Sequence, residues 1–69
     1  MPLTIANVGE TVRVEKIGGR DETKRFLTNL GFTEGAEVTI ISEVDGNMIV
    51  KIRDARVAIN TEMAKKIMV

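Results

Sequence analysis

Between Asp21 and Val44 the apolar residues change their spacing once, and a glycine stands at the change. In DETKRFLTNL (21–30), Thr23, Phe26, Leu27 and Leu30 fall at i, i+3, i+4 and i+7, the spacing of one helix face. EVTIISEV (37–44) reads as a strand. Gly31 follows the last apolar helical position, where chains commonly leave a helix through a left-handed residue. Phe32 is then expected to fold back onto Phe26 or Leu27, with Gly35 turning the chain into the strand at Glu37. Asp21 is the expected N-cap, its carboxylate accepting from a first-turn N–H, and Glu22 suits the positive end of the helix dipole. This order speaks against a phosphate-binding loop, which needs strand, glycines and then helix, so that the helix N-terminus faces the anion. Here the glycines meet a helix C-terminus, whose partial charge repels phosphate, and no Gly-Lys-Ser/Thr follows. The glycines are architecture.

The remaining segments are short and punctuated by Gly, Asp and Asn. TVRVEKI (11–17) alternates, with Val12 and Val14 on one face, and Gly18-Gly19 ends it. MIVKI (48–52) follows the strand at 37–44 through Asp45-Gly46-Asn47. A two-residue Asp-Gly turn would set Ile40 opposite Lys51 and mix the faces. A three-residue loop pairs Val44 with Met48, Ser42 with Val50 and Ile40 with Ile52, so it is the expected register. RVAI (56–59) gives a further strand after an Asp54-Ala55 turn. Asn60 is expected to cap a single helical turn through TEMA, and KKIMV closes the chain with Ile67 and Val69 in phase. The expected fold is one domain, 1–69, mainly β: about five short strands with one helix inserted after the first long strand. An open sheet this small leaves long exposed edges, so closure into a small barrel is expected.

Composition removes most chemistry. There is no Cys and no His, which excludes a disulfide framework and any thiolate or imidazole metal site. Ten basic residues balance ten acidic ones without a basic stripe, so nucleic acid is not an expected partner. No apolar run approaches the ~20 residues that span a bilayer, and the N-terminus lacks the pattern of a secretion signal; a cytoplasmic protein is expected. Ser42 and the threonines have no His or Cys to activate them, so no active site is expected. Oxygen ligands remain: Glu34 with Glu37, Glu43 with Asp45, Asp54 with Glu62. Carboxylates suit hard cations and hold Fe²⁺ weakly without imidazole. Glu34 and Glu37 are therefore weak metal candidates and read more simply as solvated turn residues.

RFLTNLGFTEGAEVTII resembles the signature of the FeoA family, in which a helix ends in a Leu-Gly-hydrophobic turn with a further Gly three residues on. LTIANVGETVRVEKI is similar to the family's opening. GNMIVKIRDARVAINTEMAKKIMV is similar to its close, including Ala64, Ile67 and Val69. Asn60 departs mildly from the pattern at the end of a strand. The resemblance covers nearly the whole chain and rests on order and spacing. It implies a small SH3-like barrel, cytosolic and without enzyme activity, that accompanies the ferrous-iron transporter FeoB by contacting its cytosolic GTP-binding part. Similar domains end metal-dependent repressors, so a metal-sensing or repressor-docking module is the alternative it implies. The chain has no helix-turn-helix segment and is closer to the stand-alone accessory.

With two Phe and no Tyr or Trp, the chain lacks the aromatic groove by which SH3 domains hold polyproline. Contact with a protein partner then falls to the surface around the helix. Phe26, Leu27, Leu30 and Phe32, with Met48, Met63 and Met68 as adaptable fillers, outline an apolar groove, although Phe26, Leu27 and Leu30 read more simply as core. Arg25, Asn29, Phe32 and Thr33 are the better contact candidates, with Leu27 and Leu30 beside them. Arg20, Arg25 and Arg53 are the arginines that could assist GTP hydrolysis by a partner. No cofactor is implied beyond a weakly held divalent cation, and self-association is left open.

Overall fold

A computed structural model describes residues 1–69. Helix α1 spans Asp21–Leu30, as its apolar spacing requires. Its end is built by Gly31, at φ +115°. The Gly31 N–H donates to the Thr28 carbonyl and the Phe32 N–H to the Leu27 carbonyl, both at 3.0 Å. These are the paired bonds of a Schellman motif, which satisfy helix-end carbonyls and reverse the chain. Phe32 thereby enters the core and is fully buried with Leu27, whereas Phe26 stays 47% exposed. The helix start differs from expectation. Arg20 is the N-cap and makes no side-chain bond, while Asp21 is already helical. Asp21 and Glu22 both lie in the first turn, where the dipole favours acidic groups.

β3 (Glu37–Val44), β4 (Asn47–Ile52) and β5 (Ala55–Asn60) form an antiparallel meander, and β1 (Thr11–Arg13) joins the outer side of β3. A second sheet pairs β2 (Lys16–Ile17) with β6 (Ile67–Met68), after the short helix α2 (Thr61–Ala64). The single strand expected over 11–17 is thus two strands in two sheets. Val14 is the corner: its N–H donates to the Ala36 carbonyl (2.9 Å) and its carbonyl accepts from Gly35 (2.7 Å). One residue later, the Glu15 N–H donates to the Met68 carbonyl at 2.7 Å. Strands that change sheet in this way let two sheets share one core. Full closure is not reached, because β5 has no neighbour on its outer side. The chain ends meet instead: the Val69 N–H donates to the Met1 carbonyl at 2.7 Å, and Pro2 bridges to Met68.

The β3–β4 register corrects the expected three-residue loop. The turn is Asp45-Gly46, both left-handed at φ +47° and +78°, as a type I′ hairpin requires, and Val44 pairs with Asn47. Ile40 nevertheless faces Val50 and Val38 faces Ile52, because a bulge at Ile41 lies between Ile40–Val50 and Ser42–Ile49. One extra residue restores the phase that the tight turn would have broken. The β4–β5 hairpin turns over Arg53 and Asp54, with Ile52 opposite Ala55. The end of β5 is settled by Asn60, whose Oδ1 accepts from the Met63 N–H at 2.8 Å and caps α2.

Thirteen apolar residues form one cluster, and no polar side chain is buried. Phe32 is the largest of them. Phe32→Ala should cost about 3–5 kcal/mol, comparable with the ~3–5 kcal/mol that a core of this size supplies; urea denaturation followed by circular dichroism should find the variant largely unfolded. Gly31→Ala forces a side chain into the left-handed region, at roughly 1–2 kcal/mol. It also sets a Cβ 3.3 Å from Arg53 Cδ and Nε. The same measurement should show a clear loss, and a neutral Gly31→Ala would contradict the cap.

Candidate functional site

α1 touches the rest of the molecule along a narrow line. Leu27 is its one fully buried residue, Leu30 and Thr23 are half-buried, and the rest are exposed. Asp21, Lys24, Arg25, Thr28 and Asn29 recur at three- and four-residue steps and line a shallow depression of about 280 Å³ on the outward face. Phe26 flanks this polar face. Helical geometry sets it one turn from Glu22 and Asn29, and 47% of its surface is in solvent. A large ring held at a helix surface amid charged and amide groups can anchor a protein contact, as aromatic residues at interface centres do.

The structure divides the residues that the sequence nominated. Arg25 and Asn29 come together on α1. Thr33, Glu34 and Glu37 lie apart from them, in a groove of about 530 Å³ shared with Thr39, Lys51 and Arg53. Leu30 is only half-buried and borders the helix face. Phe32 and Leu27 are at 0% exposure, so neither offers a surface: the reversal at Gly31 directs one inward, and the helix axis directs the other. Met48 is buried and Met63 is half-buried against the core, so no methionine-lined groove flanks α1. Phe26 was the residue the helix periodicity misplaced. It sits at the boundary of the apolar arc, while the reversal at Gly31 carries Phe32 into the core.

Glu34 and Glu37 do share one groove, but as a pair. No group of three or more acidic residues converges anywhere in the molecule. Glu37 Oε1 lies 3.9 Å from Arg13 Nη2 in an exposed ion pair, and Lys51 and Arg53 stand in the same groove. Two carboxylates beside three cations make a poor cation site. Of the three arginines considered for assisting hydrolysis, Arg53 has its side chain laid against Gly31 at the helix C-terminus, where a cation complements the dipole. Arg20 and Arg25 are exposed and make no ion pair. Ser42, opposite Ile49 in mid-sheet, has no activating neighbour. No helix is long and apolar enough to cross a membrane.

The sequence pattern of the FeoA domain matches residues 1–69. The chain belongs to the FeoA family. A protein of Methanocaldococcus jannaschii, provisionally named Fe(2+) transport protein A, is 32% identical over 68 residues, covering 99% of this chain and 83% of its own length. A crystal structure of an iron uptake regulatory protein, FeoA, superposes with a TM-score of 0.88 at 26% identity, covering 97% of this chain and 91% of that one. FeoA of Stenotrophomonas maltophilia, crystallised with zinc and described as an SH3 domain protein, superposes at 0.87 with 24% identity over 99% and 87% of the two chains. The fold of this FeoA protein is therefore SH3-like, with its two sheets incompletely closed.

The placement of Phe26 on the surface has a direct test. Phe26→Ser should change unfolding free energy by less than about 1 kcal/mol, as surface substitutions do, whereas a core phenylalanine would cost several times more. Urea denaturation distinguishes the two, and a large loss would return Phe26 to the core.

Proposed function

We propose that this FeoA protein is a non-enzymatic, cytoplasmic accessory of ferrous-iron uptake that acts by docking on the cytosolic GTP-binding part of an FeoB-type transporter. The outward face of α1 is the docking surface, with Phe26 as anchor and Arg25 and Asn29 beside it. The observation that carries this reading is the half-exposed Phe26 on a helix whose one fully buried residue is Leu27. The family's association with Fe(2+) transport supplies the system. Support for a role without catalysis comes from the side chains themselves: with no His, no Cys and no buried polar side chain, contact is what the surface can offer.

Docking acts on a transporter by stabilising whichever of its states presents the matching surface, and its effect cannot exceed the difference in affinity between those states. Arg25, exposed on the same face, is then positioned to approach the partner's nucleotide site. A positive effect on GTP hydrolysis is an extension of the same contact and requires no chemistry within this chain.

Calorimetric titration of the FeoB cytosolic domain with the intact chain should detect binding without added metal. Phe26→Ala should weaken it at least tenfold, as loss of an interface anchor does, and Arg25→Glu should weaken it further. Unchanged affinity in both variants would remove α1 from the interface. Binding of Fe²⁺ or Mn²⁺ to the chain with no affinity for the transporter domain would favour a metal-sensing module instead.

A further inference from the structure

β5 is an edge strand without the usual protection. Its six residues pair with β4 in unbroken register from Asn47–Asn60 to Ile52–Ala55, so there is no bulge, and it contains no proline. Arg56 is its one charged residue. The opposite edge of the sheet, β1, is three residues long and turns away at Val14. Edges as long and regular as β5 are normally shortened, bulged or covered, because their free backbone groups template further pairing.

The two-residue turn fixes which groups are free. Ile52 and Ala55 close the hairpin as a hydrogen-bonded pair, so Val50–Val57 and Met48–Ile59 are bonded pairs too. The N–H and C=O groups of Arg56 and Ala58 then point away from β4, and no loop or turn hydrogen bond takes them up. Val57, between them, packs against the core yet keeps part of its surface in solvent.

We infer that β5 pairs with β5 of a second copy of this chain, antiparallel, about a two-fold axis at Val57. This surface lies outside the α1 face and the inference does not depend on the docking reading. The sequence of the edge is its own complement in that register. Arg56 lies opposite the second copy's Ala58 and exchanges both hydrogen bonds with it, and symmetry repeats the exchange, which uses all four backbone groups of Arg56 and Ala58 in each chain. On the core side Val57 meets Val57, and Ala55 meets Ile59, so every facing pair is apolar; β-branched cross-strand pairs of this kind are favourable. On the outer side Arg56 faces Ala58 and Asp54 faces Asn60, so no like charges stand directly opposite. The contact is isologous and closed, and gives a dimer with one continuous eight-stranded sheet, built from two copies of the four-stranded one.

Sedimentation equilibrium of the intact chain from micromolar to millimolar concentration should reveal a monomer–dimer equilibrium. Ala58→Pro removes a donor that β4 does not use, so the fold should survive while the dimer weakens at least about tenfold through two lost hydrogen bonds. The chain has no cysteine, so single thiols report the register. Val57→Cys should cross-link readily under mild oxidation, since the facing residues form a close non-bonded pair. Ala55→Cys should not, because the two copies are offset by about 14 Å along the strands. If Ala58→Pro fails to fold, the cysteine pair decides alone. A monomer at millimolar concentration, a dimer indifferent to Ala58→Pro, or equal cross-linking at both positions would overturn the inference.

Discussion

The reversal at Gly31 and Phe32 is the constraint on which the molecule depends. A 69-residue chain without cysteine or histidine must draw its stability from one thin core, and Phe32 is the largest side chain in that core. Phe32 reaches it only because the two hydrogen bonds of the helix end, from Gly31 to Thr28 and from Phe32 to Leu27, turn the backbone through a conformation that a side chain at residue 31 would resist. Arg53 then lies across the glycine at 3.3 Å from where a Cβ would stand, and so ties the β4–β5 turn to the same point.

From that reversal follows the character of α1. Phe32 occupies the interior, Leu27 and Leu30 complete the helix contact, and Phe26 is left at the surface. The helix is therefore pinned at one end and presents most of its circumference to solvent. Its polar face mixes Asp21, Lys24, Arg25 and Asn29, which suits recognition of another protein's mixed surface better than attraction of a uniformly charged polymer. The groove at Glu34 and Glu37 holds charges of both signs, and its exposed ion pair with Arg13 contributes little to stability.

What could be read from the sequence was local. α1, its glycine end, the Asn60 cap and the bounds of β3 are each set by residues within a few positions of the feature, and the structure places them where the pattern does. What could not be read depends on distant partners. The strand at 11–17 divides at Val14 because Val14 bonds to Ala36, just before β3, while Glu15 bonds to Met68 of β6. The Asp-Gly turn was set aside because it misaligned Ile40, yet the bulge at Ile41 corrects that alignment inside the strand; the apolar doublet Ile40-Ile41 was the one visible sign. The contact residues divide in the same way. Arg25 and Asn29 are exposed for reasons of helix geometry alone, whereas the exchange of Phe26 and Phe32 between surface and core is decided by tertiary packing. Thr33 and the two glutamates fall in a separate groove for the same reason.

The most direct measurement is a nuclear magnetic resonance titration of the isotopically labelled chain with the unlabelled FeoB cytosolic domain, in the absence of metal. If this FeoA protein acts by contact through α1, the perturbed amides should cluster on Asp21–Asn29, centred on Arg25 and Phe26, with the interior around Phe32 little changed. Perturbations confined to the Glu34–Glu37 groove, or appearing only once Fe²⁺ is added, would contradict it.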